Sequence, residues 1–299
     1  MRGRTIILMV MLIFLIYGSS IIYVQAQYHG YGNRYRPLLG GIQIVIPYYY
    51  SLYYCSLAFP VNFKESGNQK YGFITAGHCS GKKAGGGDVY QPTVDQNNFI
   101  GNIIRNSYGV DSRADAALIR IEGSGNENGI GKHIYENGNL YFGNHKPDND
   151  GRVGILDVRT PFKEMELNEN YIQYKSGRTT GLTYGIVIQY DYYAKYPDGD
   201  LYPALLISRC KNSSNCYYNT TIVDHGDSGG PVYDRILIYQ ELGGALKYYG
   251  AIIYGLVTGR DPSKPQNDTR YMVASWATKV KEIWPDISFI TCGSGSSCW

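Results

Sequence analysis

Six residues, Gly226-Asp227-Ser228-Gly229-Gly230-Pro231, constrain this chain more than any other stretch. Three glycines and a proline in six positions cannot continue a helix or a central strand, so the segment must be a tight turn. The turn holds a single hydroxyl outward. A serine hydroxyl is a weak nucleophile at neutral pH unless a neighbouring base takes its proton. Two upstream stretches offer what the serine lacks. Thr75-Ala76-Gly77-His78-Cys79 ends an apolar run on a histidine, and Ala114-Asp115-Ala116-Ala117-Leu118-Ile119 sets a carboxylate at the mouth of a hydrophobic strand. Asp88 and Asp111 are rival carboxylates. Asp115 is preferred because a buried strand follows it directly.

The remaining chain reads as β-rich. It carries 31 tyrosines and 37 glycines, a balance that favours short strands and turns over a helical bundle. Strands are expected at Ile42–Pro47, Cys55–Phe63 and Tyr71–Thr75, with Gly67-Asn68 as a turn, and at Asn98–Ile104 and Ala116–Ile121. Gly123–Gly151, dense in Gly, Asn and Asp, reads as a long surface connection between two halves. Further strands are expected at Val153–Val158, Tyr171–Tyr174, Thr183–Tyr190, Leu201–Ser208, Tyr249–Val257 and Asp268–Ala274. Ser275 then caps a short helix that buries Ala277, Val280, Ile283 and Trp284 and stops at Pro285. Tyr48-Tyr49-Tyr50 and Tyr53-Tyr54 read as alternating strand and rim residues.

The first residues resemble an export signal. Arg2 and Arg4 precede an apolar run from Ile6 to Tyr17, and Val24-Gln25-Ala26 offers a small-residue cleavage site. The alternative is an uncleaved anchor, although Gly18-Ser19-Ser20 interrupts the run. Residues 27–39, polar and rich in Tyr, Gly and Arg, read as a short exposed leader. A net charge of +3 with scattered basic residues gives no nucleic-acid footprint. Six cysteines in an exported chain point to disulfides, for which fifteen pairings exist; no Cys-x-x-Cys supports a metal site. Asn212, Asn219 and Asn267 head glycosylation sequons.

TAGHC, DAALI and GDSGGP, in that order, resemble the chymotrypsin-like (trypsin-fold) serine peptidases. Ser176-Gly177-Arg178-Thr179-Thr180-Gly181 is similar to a stretch of the bacterial secreted streptogrisin and α-lytic-protease branch. The resemblance spans roughly residues 40–284. It implies an all-β fold of two antiparallel six-stranded Greek-key barrels, residues 40–150 and 151–286, with the site between them, a short C-terminal helix, and a disulfide-looped tail at 287–299. It also implies the pair Cys55–Cys79; Cys210–Cys216 and Cys292–Cys298 would then close short local loops.

The same resemblance assigns roles. Ser228 would be the nucleophile, His78 the general base and then acid, and Asp115 the group that orients the imidazole. The backbone N–H groups of Gly226 and Ser228 would form the oxyanion hole. His29, His133 and His145 lie in polar stretches and carry no such role. Asp227 would be buried against a cation, Lys175 where the branch usually has arginine, with Arg178 as second candidate; no amino-terminal activation pair is expected. Ala26 and Gly40 leave no room for the large folding pro-region frequent in that branch. Thr258-Gly259-Arg260 would be the edge strand against which substrate backbone lies, with His225 at the rim of the specificity pocket. Ile222 lies near the place of the trypsin pocket aspartate, so Arg/Lys preference is not expected. Arg260 and His225 together raise the option of an acidic preference. The implied partners are polypeptide substrates, acted on by a monomer without metal or cofactor. Two other readings stay open: the same fold as a silent surface-binding protein, and an esterase using the same three residues. The latter usually carries a Gly-x-Ser-x-Gly elbow rather than GDSGG.

Overall fold

The computed structural model describes residues 30–80, 86–136, 152–168, 171–197, 199–212, 215–216, 221–240 and 247–293. The export signal, His29, His145, Asn219 and Cys298 lie outside these residues. The strands are β1 (Gln43–Tyr48), β2 (Ser51–Ser56), β3 (Pro60–Glu65), β4 (Asn68–Thr75), β5 (Asp88–Tyr90), β6 (Phe99–Asn106), β7 (Ala117–Ile121), β8 (His133–Tyr135) and β9 (Arg152–Val158). They continue as β10 (Ile172–Gly177), β11 (Gly181–Tyr196), β12 (Gly199–Ser208), β13 (Cys210–Asn212), β14 (Asn215–Cys216), β15 (Pro231–Gln240), β16 (Lys247–Arg260), β17 (Tyr271–Trp276) and β18 (Ser288–Phe289). Two short α-helices, α1 (Glu164–Leu167) and α2 (Ala277–Ile283), complete the described α-helical structure.

The strands form two sheets of eight, where the resemblance implies two barrels of six. The first runs β18-β3-β4-β7-β6-β5-β1-β2. Leu57 N–H bonds Ile42 O while Ala58 N–H bonds Ile74 O, so this short segment draws opposite sides of the sheet together. The second runs β15-β10-β11-β12-β17-β16-β9-β8, and an extra β15–β16 pairing closes six of its strands into a ring. The two additional strands, β9 and β8, pair outside that ring. β9 lies parallel to β16 and antiparallel to β8.

Several expectations change in detail. The stretch from Cys55 to Phe63 is two strands, because residues 57–59 turn between partners. β15 was not anticipated: Pro231 begins it, and its exposed Ile236–Ile238 run obscures the alternation. Residues 30–39 are no exposed leader. Tyr31, Leu38 and Leu39 are buried in the main core, and the Tyr31 and Tyr135 ring centroids lie 4.9 Å apart edge to face. Within the expected surface connection, Ile134, Tyr135 and Glu136 are also buried. Glu136 accepts from Tyr233 Oη (2.6 Å) and Arg235 Nε (2.9 Å), which ties the connection to β15. Ser275 does not cap α2. It is the penultimate residue of β17, and Trp276 precedes the helix without a side-chain cap. Ala277 and Val280 are buried as expected, while Ile283 and Trp284 are partly buried against the core. Tyr49 and Tyr50 are strongly exposed at the β1–β2 turn.

Cys55 is bonded to Cys79, closing a loop with sequence separation 24. Cys210 and Cys292 are also in disulfides. The backbone sets Cys210 opposite Cys216 in the β13–β14 ladder.

Candidate active site

His78 lies in a 3-10 turn immediately after β4. β4 pairs with β7 from Gly72↔Arg120 to Thr75↔Ala117, so the end of β4 and the start of β7 are adjacent. That register brings Asp115, two residues before β7, beneath His78. The carboxylate takes two bonds from one residue: His78 N–H to Oδ1 at 2.9 Å and His78 Nδ1 to Oδ2 at 2.7 Å. With both backbone and ring held, the imidazole has little freedom to rotate. Asp115 N–H in turn donates to Ser275 Oγ (3.2 Å), which anchors the backbone of this residue to the second sheet. Burial works against a charged His78 ring, but the charge of Asp115 and its hydrogen bond outweigh that and raise the pKa above the ordinary 6.5. The Tyr108 ring meets His78 edge-on at 5.7 Å. Of the rival carboxylates, Asp111 pairs with Arg113 (2.6 Å) and Asp88 accepts from Asn102 (2.7 Å).

Residues 226–230 form the turn expected of them, with Gly226 at φ +96° and Gly229 at φ +84°. A Cβ on Gly229 would stand 2.3 Å from Ser56 O and from Thr75 Oγ1. The turn is therefore pressed against the end of the first sheet, beside the histidine loop. Ser228 O accepts from Ser56 N–H (2.8 Å) and lies 4.0 Å from Cys79 Sγ. Ser56 holds the turn a second time through its hydroxyl, which donates to Gly226 O (2.9 Å) and accepts from Arg178 N–H (3.0 Å). The Cys55–Cys79 bridge pins this residue's neighbour to His78's neighbour.

The peptide planes decide where the turn's N–H groups point. In a trans peptide the C=O and the following N–H face opposite ways. His225 O is held by the Thr179 hydroxyl (2.5 Å) and Asp227 O by Gly230 N–H (2.9 Å). The N–H groups of Gly226 and Ser228 therefore face away from those anchors. Neither finds a protein acceptor among the described residues. Ser228 Oγ donates to Thr258 O at 3.3 Å.

Beneath the turn, Asp227 and Lys175 are both fully buried and 3.1 Å apart. Asp227 also accepts from Thr179 N–H (2.9 Å), Thr180 N–H (3.0 Å), Thr180 Oγ1 (2.6 Å) and Asp224 N–H (3.0 Å). The β10–β11 turn, Arg178-Thr179-Thr180, thus serves as a cradle of donors for one carboxylate. Lys175 Nζ is shared among Asp227, Gly181 O (2.9 Å) and Thr180 Oγ1. Burial lowers the lysine pKa, with Asp227 opposing. Arg178, the second candidate, does not pair with Asp227. Its Nε donates to Gln43 Oε1 (2.8 Å) and its guanidinium lies over Tyr54.

Thr258, Gly259 and Arg260 end β16. Thr258 is buried, and a Cβ on Gly259 would meet nothing within 4 Å, so space lies open there. Arg260 does not offer a free charge: it pairs with Asp224 at 2.5 Å and also donates to Gln266 O. His225 is exposed, with its N–H on Asp224 Oδ1 (2.7 Å). The acidic-preference option thus loses its main cation to Asp224, the residue before His225. Sequence reasoning missed Ser56, Thr179 and Asp224. Only Thr179 had a signal, its place within the Ser176–Gly181 stretch.

A two-sheet all-β chain with a histidine–aspartate pair next to a glycine-rich serine turn has the architecture of the chymotrypsin-like serine proteases. The comparison with solved structures bears this out at the level of fold. The chain is similar to Thermobifida fusca protease A (18% identity, TM-score 0.52) and to the Nocardiopsis protease NAPase (19%, 0.53), covering 85% of this chain and 98% of each. It is also similar to a glutamic acid specific serine protease described as using a histidine triad in substrate binding (18%, 0.51; 85% of this chain, 100% of that one). No protein-family profile matches the sequence, and no curated protein sequence matches it.

Proposed function

We propose that the protein is an exported serine endopeptidase that cleaves peptide bonds through an acyl-enzyme. One observation carries the reading. The Asp115–His78 pair stands beside a turn whose serine is flanked by two peptide N–H groups without protein acceptors. In this reading Ser228 Oγ attacks the scissile carbonyl carbon while His78 Nε2 takes its proton. Asp115 holds Nδ1 protonated and stabilises the imidazolium. The oxyanion is received by the N–H groups of Gly226 and Ser228. His78 then returns the proton to the departing amine as the C–N bond breaks. A water, deprotonated by the same ring, releases the acyl group and restores Ser228. The resting bond from Ser228 to Thr258 O is given up by rotation about one side-chain bond, and substrate N–H can take that carbonyl instead.

The disulfides and the apolar amino-terminal run support export. Residues 40–150 and 151–286 are then the two halves that meet at the site. Fluorophosphonate labelling of the intact chain, lost in Ser228→Ala, tests the reading. Sequencing the fragments of a denatured protein mixture tests the substrate class. Absence of labelling would leave a binding protein, and ester turnover without peptide turnover would leave an esterase.

A further inference from the structure

Arg260 sits at the end of β16, beyond the last residue that pairs with β15, Leu256. One edge of this end faces β17: Asp261 N–H donates to Tyr271 O at 3.2 Å. Because backbone groups alternate along a strand, the carbonyl of Arg260 faces the other edge, the one on which Thr258 O meets Ser228 Oγ. That edge is where an extended peptide would lie. With its first residue opposite Thr258, its third stands opposite Arg260, two strand positions on.

The carbonyl of Arg260 is already taken. Tyr196, the last residue of β11, donates its hydroxyl to it at 3.1 Å. Tyr192, four residues back along the same strand, donates to Asp261 Oδ1 at 2.7 Å. The far side of the hairpin is held too, since Tyr202 N–H donates to Ser112 O (2.9 Å) in the loop before Asp115. The β11–β12 hairpin therefore spans from the aspartate loop to the substrate edge and closes the edge two residues beyond Thr258, whose carbonyl meets the Ser228 hydroxyl. Burial raises the Tyr196 pKa well above that of an ordinary tyrosine, so the hydroxyl stays a donor across the neutral range.

We infer that Tyr196 is a specificity-determining residue: its hydroxyl occupies the backbone acceptor for the third substrate residue, so the enzyme gains little from peptide beyond the second. This rests on the endopeptidase reading above. A peptide N–H arriving at Arg260 either displaces the phenol, exchanging one hydrogen bond for another, or shares the oxygen with it through the second lone pair, so the gain falls short of a full bond. Two residues suffice for recognition, and longer peptides bind with the hairpin lifted or the third residue unpaired.

The test is a series of fluorogenic amides with one to four residues before the scissile bond, of a sequence taken from the cleavage profile. In the parent chain KM should level off after two residues. Tyr196→Phe keeps the ring and removes the hydroxyl. It should lower KM for the three- and four-residue substrates roughly three- to tenfold, the span of one net hydrogen bond, and leave the shorter ones unchanged. Tyr192→Phe, whose hydroxyl reaches the Asp261 and Ser263 side chains and not the Arg260 carbonyl, should not show this dependence on length. An equal change across the series, or none, overturns the proposal while peptide turnover by the parent leaves the endopeptidase reading standing. A parent chain that neither labels with fluorophosphonate nor turns over any of the four amides overturns both.

Discussion

Replacing Lys175 by methionine removes one charge from a site where neither partner touches solvent. The side-chain volume is nearly kept, so the effect is electrostatic rather than a cavity. Asp227 would remain charged, with four of its five donors. Gly181 O would lose the ammonium that reaches it at 2.9 Å. Breaking a buried pair from one side costs about 3–5 kcal/mol because a charge is left uncompensated. The four surviving bonds to Asp227 argue for the lower half, and the stranded carbonyl of Gly181 returns some of it, giving about 4 kcal/mol. For a domain of this size that corresponds to a fall in Tm of roughly 8–16 °C. Urea unfolding followed by tryptophan fluorescence would measure it. The double change Lys175→Met with Asp227→Asn should recover part of the loss, because no buried charge is then unpaired. The recovery stays incomplete, since an amide nitrogen in place of Oδ2 would face the Asp224 N–H. A Lys175→Met chain within about 1 kcal/mol of the parent would refute this account of the pair as an uncompensated-charge problem.

The raised pKa of His78 predicts an acid limb of kcat/KM above pH 6.5, because attack needs the neutral ring; Asp115→Asn should move that limb down and lower kcat by about 10⁴-fold. Thr179→Val would free the His225 carbonyl and let the Gly226 N–H turn, costing up to about 3 kcal/mol of transition-state stabilisation, read as kcat with KM little changed. Replacing both Cys55 and Cys79 by serine opens a loop of sequence separation 24 and should lower stability by about 3.5 kcal/mol in the chain-entropy model, measured by denaturant unfolding. Asp224→Ala releases Arg260 from its ion pair, so a peptide-library profile should shift toward acidic side chains, which the parent should not favour.

What could be read from the sequence was whatever backbone chemistry makes local. Gly226 and Gly229 need positive φ, and no other residue type writes that need so plainly. A carboxylate opening an apolar run marks a strand mouth, and there Asp115 stands. Lys175 was legible for a different reason: the family resemblance implies a basic side chain just before Ser176-Gly177, and in the fold Lys175 pairs with Asp227. Contacts made by tertiary approach left no such mark. Ser56 is an ordinary strand-end serine by any local rule, yet it bonds the turn at Gly226 and at Ser228. The burial of Tyr31, Leu38 and Leu39 was hidden by polar neighbours, for Arg36 reads as a surface residue and in fact bonds Gln91 and Ser124.

The same distinction explains why specificity is harder to read than chemistry. The groups proposed to react are positioned by strand ends and one turn, whose residues are few and chemically distinctive. The residues around them come from separate elements: Asp224 before the turn, Tyr108 beside the histidine, Tyr196 from the far end of a sixteen-residue strand. Each is an ordinary residue in its own neighbourhood. Arg260 illustrates the consequence. As a sequence position it offers a cation to an acidic substrate. In the fold its guanidinium is paired with Asp224 and its carbonyl accepts from Tyr196, so its cation and its backbone acceptor are both engaged within the protein. On the proposed function, a chain can therefore keep its reacting groups and still redirect what it accepts by changing two residues that carry no motif.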